Sequence, residues 1–147
     1  MQIAYKIPGA TGDWIVLADA SAGAFIKEWK PRASGQVQKS NVAVVPGQIA
    51  NSQRQPLGNL KETIPLFLDV SYNAIGTLTA PAAAQAAART NKTAFMGNVV
   101  HLRLTEGAET QYYPNGTTDS FESLVAGCNV VYNFTIETDF VTTTEPA

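Results

Sequence analysis

The chain of 147 residues holds one histidine, His101, and one cysteine, Cys128. Hydrolysis by a triad needs a nucleophile, a base and a group that orients the base. His101 sits inside VVHLRL, between Val100 and Leu102, with no Asp or Glu close in sequence. It reads as a solvated or interface side chain rather than a base, and nothing in the sequence pairs Cys128 with it. A zinc site needs three or four ligands, more than one His and one Cys supply. Two carboxylates at suitable separation can cleave glycosides. Asp119 and Glu122, however, are three residues apart, which on a regular strand sends them to opposite faces. Glu106 and Glu109 flank a predicted turn, EGAE, where exposed charge is ordinary. GATGDW lacks the lysine of a phosphate loop, and no EF-hand or Cys cluster occurs. Trp14, Trp29, Tyr112 and Tyr113 have the rings to stack on sugars or bases. In a net acidic chain without a basic–aromatic stripe, they read as core and interface aromatics. The sequence therefore predicts a non-enzyme with no metal and no cofactor.

Composition points the same way. Charged residues make up 15% of the chain, against about 25% in soluble domains generally. Few charges suit a protein that covers part of its surface with partners. Residues 1–62 carry seven Lys/Arg and four Asp/Glu, a net +3; residues 63–147 carry three and eight, a net −5. Unlike halves of this kind attract one another between copies. The length suits one domain, residues 1–147. No apolar run approaches the roughly 18 residues of a membrane span, and MQIAYKIPGATGDW has no signal-peptide pattern. Three Asn-x-Thr sequons read as chance matches in a Thr- and Asn-rich chain.

These side chains must be carried by a mainly β framework. DWIVLAD (13–19) and GAFIKEW (23–29) read as two strands of a hairpin, with Phe25, Lys27 and Trp29 on one face and Ile26 and Glu28 on the other. Residues 33–58 contain Gly, Ser, Gln and Asn, one apolar patch (Val42, Val44, Val45), Lys39, Arg54 and no acid. So long a connection is usually functional; it predicts a flexible loop or an extended β-arm that meets a partner. In KETIPLFLDVSY, Ile64, Leu66, Leu68 and Val70 alternate as one buried face, and Pro65 marks an edge or bulge. Residues 79–93 predict the single helix, Ala-rich, capped by Thr79, with Pro81 in its first turn and Arg89 and Lys92 near its C-terminus. Residues 98–140 predict an antiparallel meander. EGAE and PNGT are its turns, AGCN leads into the last strand, and Val130, Tyr132, Phe134 and Ile136 point inward there. The fold class is an antiparallel β-sandwich or barrel with one flanking helix.

Tyr113-Pro114-Asn115-Gly116-Thr117, Asp119 and Phe121, followed by VVYNFTIET as the final strand, sit behind a long polar loop, an alternating strand and an Ala-rich helix. Over roughly residues 60–140 this order resembles the tail tube proteins of long-tailed bacteriophages. The resemblance implies a virion structural subunit, made in the bacterial host cytoplasm, that forms rings, usually of six copies. The rings stack into a tube that conducts genomic DNA without binding it specifically, in contact with other tail proteins and no membrane. It implies that the 33–58 loop reaches an adjacent ring. Because basic side chains hold DNA in a salt-dependent way, a sliding channel is expected to be neutral or acidic. Glu106, Glu109, Asp119, Glu122 and Glu137 are the candidate lumen or interface charges. Other tail pieces, a capsid decoration protein, and a carbohydrate-binding β-sandwich are the alternatives.

Overall fold

The computed structural model describes residues 1–34, 37–42, 51–56, 60–71, 80–126 and 129–147; of residues 34, 37–42 and 51–56 it describes only the backbone. Ten strands and one helix follow in order: β1 (Gln2–Lys6), β2 (Ile15–Asp19), β3 (Phe25–Trp29), β4 (Arg32–Ser34), β5 (Val37–Val42), β6 (Asn51–Pro56), β7 (Lys61–Asp69), α1 (Pro81–Gly97), β8 (Val100–Glu106), β9 (Glu109–Ala126) and β10 (Asn129–Asp139). Eight of these strands form one antiparallel sheet in the order β2-β1-β8-β9-β10-β7-β3, with β4 also on β7. The sheet is mainly β architecture of the expected class, but it does not close into a barrel.

The inner face carries the core. On β10, Val130, Tyr132, Phe134 and Ile136 are buried, as their alternation predicts; Ile64, Leu66 and Leu68 of β7 face the same way. The helix lays Ala84, Ala88 and Phe95 on this face. Alanines let the helix axis come close, and Phe95 fills the space beyond them, packing on Tyr5, Phe121 and Phe134 at centroid distances of 4.8, 5.3 and 4.9 Å. Asn91 lies on the same helical stripe. Its Oδ1 accepts from the Tyr5 hydroxyl at 2.8 Å, and its Nδ2 donates to the Tyr132 hydroxyl at 3.1 Å. One amide thus partners two phenols that are otherwise buried, and burial pushes both phenols above their ordinary range.

Several expectations need correcting. β2 and β3 are not a hairpin. Among the described residues β2 pairs only with β1, and a 3-10 turn at Ala20–Ala22 carries the chain across to β3, which pairs with β7. β1, too short to stand out in the sequence, is an interior strand between β2 and β8. In β3 an extra residue lies between Ile26 and Glu28. This bulge puts Ile26 and Trp29 on the core and leaves Phe25 62% exposed. β7 is interior rather than an edge. Pro65 falls where β3 has ended and β4 has not begun, so its missing N–H interrupts no ladder on that side. The helix runs to Gly97, so Arg89 and Lys92 are mid-helix and its last turn has no basic residue; Ala80 occupies the N-cap with no side-chain bond. Thr79 lies outside the described residues.

The aromatic contacts of Phe134 make its cost testable. Phe134→Ala removes a ring that packs on both Phe95 and Phe121 and should destabilise by about 3–5 kcal/mol in urea titration. A loss under about 1 kcal/mol would mean this face is not the core.

Candidate functional site

PNGT is not a hairpin turn. Glu109–Ala126 is one strand of 18 residues that pairs with β8 through its first half and with β10 through its second. Two bulges let it make the change. Between the pairs Leu102↔Tyr113 and Val100↔Gly116, β9 spends one residue more than β8. Between Ile136↔Thr118 and Phe134↔Phe121 it spends one more than β10. Each bulge bends the strand and sharpens its twist.

Asn115 and Gly116 serve the first bulge in different ways. Asn115 has φ 53°, the left-handed region that Asn tolerates better than most residues. Its N–H donates to His101 Nδ1 at 3.0 Å, and its Nδ2 donates to Asp139 Oδ2 at 2.7 Å. Gly116 is needed for space. A Cβ there would meet the Ile136 side chain and lie 2.9 Å from the Val100 carbonyl oxygen. The Asn-Gly pair that signals a turn in the sequence therefore marks a close strand crossing.

His101 is correspondingly not solvated. It is 3% exposed. With Nδ1 accepting from Asn115, the ring proton belongs on Nε2, which donates to the Ala147 main-chain oxygen at 3.0 Å. Asp139 closes the arrangement by accepting from Lys61 Nζ at 2.6 Å. The bonds from Asn115 and Lys61 hold its carboxyl below the usual carboxylate range, and those from Asp139 raise Lys61.

The second bulge makes the candidate surface. Because β9 carries an extra residue at Asp119–Ser120, Asp119 and Glu122 come to the same outer face, not opposite ones. They share with Glu137 a concavity of about 600 Å³, lined also by Thr63, Thr117, Ser120, Asn133, Phe134 and Thr135. Register explains the company. Thr63, Glu137 and Thr117 stand side by side across β7, β10 and β9, and Phe67, Asn133 and Glu122 form the next row but one. Among the described residues no Lys or Arg lines it, although the Lys27 ammonium stands 4.9 Å from the Phe67 ring centre at the end of that row. The three carboxylates spread along the face rather than converge: no group of three or more His, Cys, Asp or Glu could hold a metal ion among the described residues. The result is a hydroxyl-rich anionic surface, which repels a polyanion within a Debye length of roughly 8–10 Å.

Glu106 and Glu109 are not part of it. They face each other across the β8–β9 turn, on the far side of the bend, where Gly107 takes φ 59° and Glu106 pairs with the Met1 amino group at 3.0 Å. The early segment folds in part as a β-arm. β5 and β6 form a separate two-stranded antiparallel sheet that brings Lys39 opposite Arg54 and Val42 opposite Asn51. Val44 and Val45 lie outside the described residues. The four large aromatics are divided: Tyr113 meets Trp29 edge-on in the interior, at 5.3 Å, whereas Trp14 and Tyr112 meet on the outer face, at 5.7 Å. They form no common stacking platform.

Sequence reasoning missed Glu62. It continues the inward series of Ile64, Leu66 and Leu68 by the same period of two and is 5% exposed. Burial raises its carboxyl, and Tyr113, itself buried and also near this charge, is pushed up to about 12. Compared with known families and with curated proteins, the chain matches none.

Three predictions follow from these geometries. Gly116→Ala should cost about 1–3 kcal/mol, because the neighbour in its way includes backbone, whereas Asn115→Gly should retain the bend; equal stability of Gly116→Ala and the parent would remove the close crossing. Asp139 has a lowered folded value, so its contribution exists above the unfolded carboxylate range and is lost as pH falls through the folded value. Asp139→Asn should therefore be less stable than the parent at pH 7 and converge with it near pH 2. Glu62 has a raised value, so the sign reverses: the ionised group disfavours the fold. Glu62→Gln should melt higher than the parent at pH 7, and the gap should narrow as pH falls through the raised folded value and close below the unfolded carboxylate range, about 4.

Proposed function

We propose that this chain is a structural subunit of a bacteriophage tail, one that assembles as rings stacked into a DNA-conducting tube. The observation that carries the reading is the acidic outer face of β9 and β10. Asp119, Glu122 and Glu137 share a concave, hydroxyl-rich surface with no basic lining residue among the described ones. A conduit must pass DNA without retaining it, and phosphate retention comes from Lys and Arg. A sheet that presents carboxylates, threonines and an asparagine suits that task.

Two further features support the reading. Among the described residues the sheet is open and no strand pairs with the outer edges of β2 and β3, and open edges are natural sites of association. The β5–β6 ribbon is a separate two-stranded sheet in a chain segment that carries positive charge and no acid. A ring closes through unlike patches, and the contrast between the basic and acidic halves provides such patches. In this arrangement the ribbon reaches the neighbouring ring and the β9–β10 face lines the channel. Glu106 and Glu109, placed away from that face, are interface charges.

Electron microscopy of the purified protein in negative stain tests the assembly. Rings or tubes are expected; compact trimers would favour a capsid decoration protein, and monomers at all concentrations would oppose any tube. The charge argument has its own test. Asp119→Lys, Glu122→Lys and Glu137→Lys combined should leave assembly intact but create DNA binding that weakens steeply with salt. If the parent already binds duplex DNA as tightly as this variant, the acidic-channel reading fails.

A further inference from the structure

The β10 ladder ends at Asp139, yet the chain does not leave the sheet there. Thr142 N–H donates to the Tyr112 carbonyl at 2.9 Å, and Tyr112 N–H donates to the Thr142 carbonyl at 2.8 Å. This isolated bridge keeps the register of Ile136↔Thr118 and Glu137↔Thr117. The segment is therefore a continuation of β10 along β9 with a gap in it. Asp139, Phe140 and Val141 fall opposite Asn115, Pro114 and Tyr113 in that register. Pro114 has no N–H to give, and Asn115 is turned into the left-handed region. The same bend that redirects β9 thus interrupts the ladder and leaves a gap, at which Phe140 is 44% exposed.

Beyond the bridge the chain crosses the outer face. Glu145 Oε1 accepts from Trp14 Nε1 at 2.9 Å, and Ala147 covers His101. Under this cover lie Trp14, Tyr112 and the Arg103 guanidinium, which stands 5.1 Å from the Trp14 ring centre. Thr143, Thr144 and Glu145 are themselves exposed. The attachment is one bridge, the packing of Val141 against the edge of the core, one exposed side-chain bond and one histidine bond.

We infer that Phe140–Ala147 is a releasable strap that is exchanged between copies, the strap of one chain taking the place of its equivalent on β9 of the next. Released, it leaves the first half of β9 paired with β8 alone, a free strand edge that another strand completes. The occupant that fits is a second copy's strap. The bridge to Tyr112, the bond to Trp14 and the bond to His101 are all made by residues that every copy carries, so each can form between chains as it does within one. Exchange adds no new contact type; it converts an internal contact into a connection between copies, in the manner of a domain swap. The proposal rests on the ring-forming reading above.

A disulfide between positions 112 and 142 distinguishes the two states, since residues paired across antiparallel strands stand about 5.5 Å apart and lie within disulfide reach. The protein used is Tyr112→Cys with Thr142→Cys, in a Cys128→Ser background, with the parent truncated after Val141, which should assemble at least tenfold less, as a second variant should the first fail to fold. Oxidised while dilute, the chain should lock its own strap, and assembly should fall at least tenfold and return on reduction. Assembled while reduced and then oxidised, it should run as covalently linked multimers on a denaturing gel. Locked chains that assemble as well as reduced ones, or a post-assembly product that is only monomeric, would overturn the exchange while leaving the tube reading standing. If the reduced protein forms no oligomer at all, the tube reading falls and the exchange falls with it.

Discussion

The closeness of Gly116 to Val100 and Ile136 is the constraint from which the rest of the structure follows. At this point β9 must leave β8 and take up β10 without breaking its own chain. A side chain on residue 116 would strike backbone, so the crossing depends on the absence of one. The bend it permits is held from three sides. His101 takes the Asn115 N–H, and Asp139 takes both the Asn115 side chain and the Lys61 ammonium. These come from β8, β10 and β7, so a short polar chain ties four strands together at one place. Such networks carry more weight when every member is satisfied.

Curling the sheet has two consequences. It brings Phe121 of β9 and Phe134 of β10 onto the one helix, where Phe95 joins the two rings. It also turns the outer face of β9 and β10 into a concave surface. The second bulge then adds Asp119 to the side already occupied by Glu122 and Glu137. A strand without bulges would have alternated those carboxylates between core and solvent, an arrangement too costly to keep. The anionic surface proposed to line a channel is thus a product of strand geometry.

Much of the framework was legible in the sequence. Period two alone located the inner faces of β7 and β10, and alanine content located the helix. The antiparallel run of strands at the end and the EGAE turn were also readable, but β9 was read as two strands joined at PNGT. Bulges were not, because an extra residue leaves no mark in composition. For that reason the reading of Phe25 and Trp29 as one face, and of Asp119 and Glu122 as opposite faces, was wrong. Asn-Gly was misread because two requirements, a left-handed residue and a missing side chain, look the same in a turn and in a bent strand. His101 seemed solvated because its cover, residues 140–147, lies far along the chain. Glu62 continued the inward period of β7, but its charge argued against placing it there.

The account joins fold to function through one surface, and its central claim is the direction that surface faces. A cryo-electron microscopy map of assembled protein, at a resolution that separates strands, tests this most directly. The account predicts a hollow tube with Asp119, Glu122 and Glu137 facing the bore. A tube with this face on its exterior, or with a bore lined mainly by Lys and Arg, would contradict it.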